Sequence, residues 1–421
     1  MVKRKGNGIF AAVGAATGLG NAFRFPALCA KYGFSFIVAY AVCLALVGYP
    51  LLCAELNYGR STYRGKGGKF IKALMRMAVA NSAVIALYYG VIACKIGGAG
   101  VNFALSSAVD TYPYMPYLTA FFIFPALFFI LKRGSGALNV TGKISVISSL
   151  ALFCFLAVNG LVFGVPAISF SSLLWGETWV EAVGQTLLSL SLAAGVMPTF
   201  ARNMPNLSVR STAFKIVFAN FAGCVFSALS VCPFCVGLSF DGGIGCAFTV
   251  YPQVILTISR TALGQKVLGV CIYGVLTMVS VHSLCSLATP LLSTFNNKKS
   301  LAALLFCTLS AMIAPILCLN QCQALTCCDR VACCVTAVIL AFLECIALAK
   351  VGGKGIAKVL TTIICPIVCG VTAILSVCSA RFSGFNTLSL SLGFLSALFP
   401  ICYGLYPIIA RLKIRRNNPY H

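Results

Sequence analysis

Apolar runs of membrane-spanning length alternate with short, mostly basic polar stretches from one end of the chain to the other. A helix needs about 20 apolar residues to cross the core of a bilayer. Twelve runs qualify: near 8–32, 36–58, 76–108, 114–132 and 142–164, one beginning near Trp179, then near 211–238, 266–295, 299–319, 329–350, 357–379 and 386–410. The pattern predicts an all-α polytopic membrane protein. Two runs are interrupted. The first carries Gly14, Gly18 and Gly20 within seven residues, and each glycine in a helix interior costs roughly 1 kcal/mol relative to alanine. The sixth carries Ser189-Leu190-Ser191-Leu192-Ala193-Ala194-Gly195. A freed backbone group in lipid must find a partner. Each interruption therefore predicts an unwound turn in mid-membrane, with carbonyls for a cation and amides for an anion.

Composition and charge sharpen this picture. Of 421 residues, 60% are hydrophobic and only 9% are charged, which excludes a soluble domain. The first run has no cleavage site and is read as a span, not a signal peptide. A net charge of +24 suggests nucleic acid until the cations are placed. Lys3, Arg4 and Lys5 precede the first span. Arg60, Arg64, Lys66, Lys69, Lys72 and Arg76 follow the second. Lys132, Arg133 and Lys143, then Arg202 and Arg210, Lys298 and Lys299, Lys350, Lys354 and Lys358, and Arg411 to Arg416 lie at later alternate junctions. With twelve spans these junctions share one side, and the positive-inside rule makes it the cytoplasm, with both termini there. Lipid headgroups, not nucleic acid, are the partner expected of these charges. The 23 cysteines are scattered through apolar runs and read as small buried hydrophobes. With two histidines, one of them the terminal His421, there is no zinc-ligand spacing and no nucleophile–base pair. The chain is not expected to be an enzyme or to carry a cofactor.

The motifs narrow the class. Gly18-Leu19-Gly20-Asn21, two residues, then Arg24-Phe25-Pro26 are followed by Gly48-Tyr49-Pro50-Leu51 and Glu55-Leu56-Asn57-Tyr58-Gly59-Arg60. This ordered pair resembles the neurotransmitter:sodium symporter family, whose structural reference is the bacterial leucine transporter. The resemblance implies one transmembrane domain over 1–421 with five-helix inverted repeats at 8–164 and 178–350 and two accessory helices at 357–410. Broken spans of opposite direction, with a site at the midplane, are the known arrangement of that fold. Gly243 to Phe248, with Tyr251-Pro252, looks like the outer cap of the permeation path.

The resemblance also implies a site. Members that carry amines have an aspartate where this chain has Gly18. A zwitterion brings its own carboxylate, which would sit on the amides of Leu19 and Gly20 at the half-helix terminus and accept the Tyr89 hydroxyl. Ala16, Ile85, Leu188, Ser189, Ser191, Ala194, Ser283 and Leu287 would line the side-chain pocket, which is mostly apolar. A neutral apolar amino acid is the expected substrate. Arg24 and Asp329 match the outer gate. The acidic member of the inner gate aligns with Asn297, so that gate departs from the pattern.

For the ions, the family's first sodium site maps to Ala16, Asn21 and Ser189, with Lys215 aligned where a carboxamide or carboxylate normally stands. Asn220 would serve instead if the register slips. The second site maps to Gly14, Thr17, Val279 and Ser283, with His282 replacing a hydroxyl. Sodium wants oxygen ligands, and lysine supplies donors only. Tyr40, Gln185 and Ser189 match a chloride site in character, and Ala219 does not. Coupling to sodium is expected to be weakened, or replaced by coupling to protons through His282, whose type titrates near pH 6.5. The leading expectation is an alternating-access symporter. A non-transporting amino acid sensor on the same fold is the alternative.

Overall fold

The computed structural model describes residues 8–63, 68–163, 176–204, 207–235, 238, 242–295, 298–319, 323–349, 356–379 and 387–417. No strand occurs among them. The first span consists of Ile9–Ala16, a wide turn at Gly20–Arg24, and Phe25–Tyr32. The second runs through Phe34–Cys43, Leu44–Gly48 and Tyr49–Tyr63. The third is Lys69–Ser106, the fourth Met115–Arg133 and the fifth Ser135–Phe163. The sixth is Gly176–Ser189 with Val196–Ala201, and the seventh is Val209–Val231. A connecting helix, Gly242–Ile258, precedes the eighth span, Ala262–Ser293. The ninth is Lys299–Leu319; the tenth runs through Gln323–Asp329, Arg330–Thr336 and Ala337–Leu348. The eleventh covers Ile356–Val359, Leu360–Ile364 and Cys365–Ser379, and the twelfth Thr387–Asn417. Among the described residues nine helices are long and apolar enough to cross a membrane. The chain is an integral, multi-pass membrane protein.

Both predicted interruptions are real breaks, and each is held by named groups. Thr17 ends the first half-helix: its amide and hydroxyl both donate to the Val13 carbonyl, at 2.8 and 3.0 Å. The sixth span unwinds between Ser189 and Val196. There Ser191 and Ala193 take φ of 51° and 54°, left-handed values that cost about 1–3 kcal/mol each without glycine. The turn persists because its neighbours grip it. Ser191 Oγ donates to the Ala15 carbonyl at 3.4 Å, Leu192 N to the Leu187 carbonyl at 2.9 Å, and Ala193 N to Glu55 Oε1 at 2.8 Å. The unwound turn of the sixth span thus touches the last turn of the first half-helix, beside the other break.

Packing puts both turns at the centre. The third span is the most enclosed, with 83% of its apolar window buried, and it lies along the eighth. The first half-helix packs on the fifth, seventh and eighth spans, and both halves of the sixth pack on the second. The eleventh and twelfth bury only 28% and 22% of their windows and present apolar side chains outward, to lipid. The connecting helix seats on the first span as the cap was expected to: Tyr251 donates to the Ala22 carbonyl at 2.9 Å, and its ring meets Phe23 edge-on. Glu177 and Glu181 both lie in the helix Gly176–Ser189, which starts slightly before the expected Trp179.

Candidate functional site

The densest polar cluster lies where the first break meets the second, sixth and seventh spans. Asn21 Nδ2 donates to the Ala16 carbonyl at 3.2 Å and to Asn220 Oδ1 at 2.7 Å. Asn220 Nδ2 donates to the Tyr40 hydroxyl at 2.8 Å and to Ser189 Oγ at 3.1 Å, and those two hydroxyls lie 2.8 Å apart. Gln185 Nε2 donates to the Gly20 carbonyl at 3.2 Å. All five side chains are buried. Asn21 Oδ1 and Gln185 Oε1 have no partner in this cluster. A buried carboxamide oxygen without a donor is costly, and a hard cation is the ligand that such oxygens suit.

Here the alignment with Lys215 fails. Lys215 is exposed on the outer face of the seventh span. Asn220, five residues on, points into the cluster. The family's carboxamide is therefore present, and no ammonium opposes a cation there. Pattern alone did not resolve which face of this helix meets the cluster.

The residues expected to line the substrate pocket are buried or half-buried. Ala16, Ile85, Tyr89, Ser189, Ser191, Ala194, Ser283 and Leu287 are buried, and Leu188 packs half-buried against Gly20. At the first break Leu19 N donates to Ser283 Oγ at 3.3 Å. A Cβ at Gly18 would overlap that same oxygen, so glycine lets the eighth span approach the unwound turn. An incoming carboxylate meets the Leu19 amide only by displacing the serine hydroxyl. The Tyr89 ring stands edge-on to Tyr88, centroids 5.1 Å apart.

The second expected ion site is differently filled. His282 is 1% exposed. Its Nδ1 lies 3.1 Å from Thr141 Oγ1, and its Nε2 lies 3.4 Å from Ser286 Oγ. A Cβ at Gly14 would come within 2.5 Å of Nε2, and one at Gly142 within 3.0 Å of the ring. The imidazole therefore wedges between the first, fifth and eighth spans, where the second ion was expected. Of the other expected donors, the Ser283 hydroxyl accepts from the Leu19 amide. Val279 is buried nearby, one turn before Ser283.

Above the pocket, Arg24 Nη2 lies 3.1 Å from Glu181 Oε2, and Nη1 lies 3.9 Å from Asp329 Oδ2. The Tyr88 hydroxyl donates to Asp329 Oδ1 at 3.0 Å. The outer pair is thus a triad joining the first, sixth and tenth spans. Glu181 was missed as a gate residue. Its signal was its rarity, as one of seven acids in the chain, within reach of the expected gate. Asn297 lies outside the described residues.

Comparisons with known proteins agree with this geometry. The sequence model described as the sodium:neurotransmitter symporter family matches residues 2–117. An uncharacterized sodium-dependent transporter of Methanocaldococcus jannaschii is 25% identical over 360 residues, 73% of each chain. The sodium- and chloride-dependent transporter XTRP3 of Homo sapiens is 25% identical over 52% of this chain and 47% of its own. The sodium-dependent neutral amino acid transporter B(0)AT2 of Rattus norvegicus is 26% identical over 53% of this chain and 39% of its own. The chain thus spans less than half the length of those two mammalian relatives. Among solved structures, MhsT in complex with L-phenylalanine shares the fold, with a TM-score of 0.75 and 21% identity over 89% of this chain and 99% of that one.

Proposed function

The chain is a relative of the sodium:neurotransmitter symporters, and on that premise we propose that it is a secondary transporter of neutral apolar amino acids, working by alternating access. The observation that carries this reading is the contact between the unwound turn of the sixth span and the end of the first half-helix, together with the charged triad of Arg24, Glu181 and Asp329. A structural neighbour holding L-phenylalanine and a relative named for neutral amino acids support the substrate class. The inverted halves are 8–164 and 178–350, followed by accessory helices at 357–410. Both termini face the cytoplasm, and the plasma membrane is the expected location.

Each residue has a role in this reading. The Leu19 and Gly20 amides, at the positive end of a half-helix, receive the substrate carboxylate, with Tyr89 donating to it. Gly18 leaves no acid to bind an amine. Asn21, Ser189 and Asn220, with the Ala16 carbonyl, are the oxygen donors for one co-transported sodium. His282 stands in for the second sodium as a built-in brace between the first, fifth and eighth spans. Sodium dependence is then that of a single site, weaker than two sites would give.

The test is uptake of radiolabelled L-leucine into proteoliposomes with sodium, proton and potassium gradients varied separately. The parent should show shallow, non-cooperative sodium activation, and His282→Thr should steepen it by restoring a hydroxyl. Steep cooperative activation in the parent, unchanged in the variant, rejects the brace. Binding without any uptake under all gradients would instead favour a sensor. Tyr89→Phe should weaken leucine binding by about 1.5–3 kcal/mol, the usual value of a hydrogen bond to a charged group. Isothermal titration of both forms checks this, and equal affinities would remove Tyr89 from the carboxylate.

A further inference from the structure

Two acids in the membrane interior have no part in the site described above. Glu55, on the second span, and Glu344, on the tenth, are both 0% exposed. Their carboxyls face one another within hydrogen-bonding reach. Glu55 Oε1 also accepts the Ala193 amide at 2.8 Å. Neither oxygen of Glu344, nor Glu55 Oε2, has another hydrogen-bond partner among the described residues. No arginine, lysine or histidine acts on either carboxyl there. The only titratable group acting on each is the other, and the sixth span contributes a backbone amide.

Chemistry leaves few arrangements. An ionised carboxylate only accepts hydrogen bonds, so two of them have nothing to share. Two such charges also repel, and both lose their hydration in a membrane interior without a cation. One proton between them turns the pair into a donor and an acceptor. We infer that Glu55 and Glu344 form a proton-binding site, loaded while the second, sixth and tenth spans are packed together and emptied to water when they part.

The placement connects this site to transport. Glu55 holds Ala193, one of the left-handed residues of the unwound turn that also carries Ser191 and Ala194. Glu344 lies on the same span as the gate residue Asp329, 15 residues away, or about 22 Å along a helix. Between them lies the wide-turned stretch Arg330–Thr336. Movement of the tenth span at the gate therefore acts on Glu344, and the unwound turn acts on Glu55. Occupancy of the proton site and closure of the substrate site are then linked, each biasing the other. This rests on the reading of the chain as a transporter and names a second coupling ion for it.

The experiment has one arm that needs no substrate. Infrared difference spectra of the protein in lipid nanodiscs are recorded between neutral and alkaline pH, in H2O and D2O. With only seven acids in the chain, a protonated carboxyl band is assignable by substitution. The expected result is a band at neutral pH that moves in frequency in both Glu55→Gln and Glu344→Gln and is absent from the double variant. No band in the parent, or a band unmoved by either substitution, overturns the site. The second arm is L-leucine uptake against pH, with the parent showing a pH dependence that the double variant lacks. Identical profiles overturn the linkage. If the spectra behave as expected but no neutral amino acid is transported, the proton site stands and the substrate reading falls.

Discussion

Asn220→Ala should reduce sodium-driven amino acid uptake by about a hundredfold or more, with the protein still folded. Asn220 bonds side chains on three other spans, reaching Asn21, Tyr40 and Ser189 on the first, second and sixth. Truncation leaves the Asn21 amide and two hydroxyls without that partner, and each buried group so stranded costs about 1–3 kcal/mol. Two such losses at about 1.5 kcal/mol each are already about a hundredfold. The contrast is Lys215→Met, one turn and a half earlier on the same span and exposed, which should leave uptake within about twofold of the parent. Proteoliposome uptake at fixed pH with sodium varied separates the two. A silent Asn220→Ala, or a crippled Lys215→Met, would restore the register in which lysine faces the ion site.

The second large effect is on stability. Gly59→Ala should lower the apparent melting temperature in detergent by roughly 5 °C or more. A Cβ there would overlap the Pro198 carbonyl oxygen and lie 2.7–2.8 Å from two further Pro198 backbone atoms. Backbone cannot rotate away as a side chain does. The second span and the inner half of the sixth would have to separate, and overpacking of this kind typically costs about 1–3 kcal/mol, occasionally more. The same separation would pull Ala193 from Glu55. Thermal unfolding followed by fluorescence-detected size exclusion measures the shift. Gly68→Ala, on a residue with open space around it, is the control and should not move the transition. Equal melting temperatures for Gly59→Ala and the parent would mean that the two spans do not approach so closely.

Much of this protein was legible in one dimension. Lipid imposes a strong rule: an apolar run of spanning length must be helical, and backbone freed from a helix must be satisfied locally. The spans and the first break follow from apolar runs and from glycines within one of them, whereas the pairing of Arg24 with Asp329 came from the family resemblance. The pocket residues came from motif matching, which works where invariant spacing ties a residue to a break. Three features were decided only by tertiary packing. Asn220 rather than Lys215 faces the cluster, because rotation of a smooth apolar helix is set by its neighbours and not by its own pattern. Glu181 completes the gate, because only the packing of the sixth span beside the first brings it to Arg24. Glu55 and Glu344 meet although 289 positions separate them in the sequence. A lone acid in an apolar run says only that some partner must exist, and which one depends on how the second and tenth spans pack around the unwound turn between them.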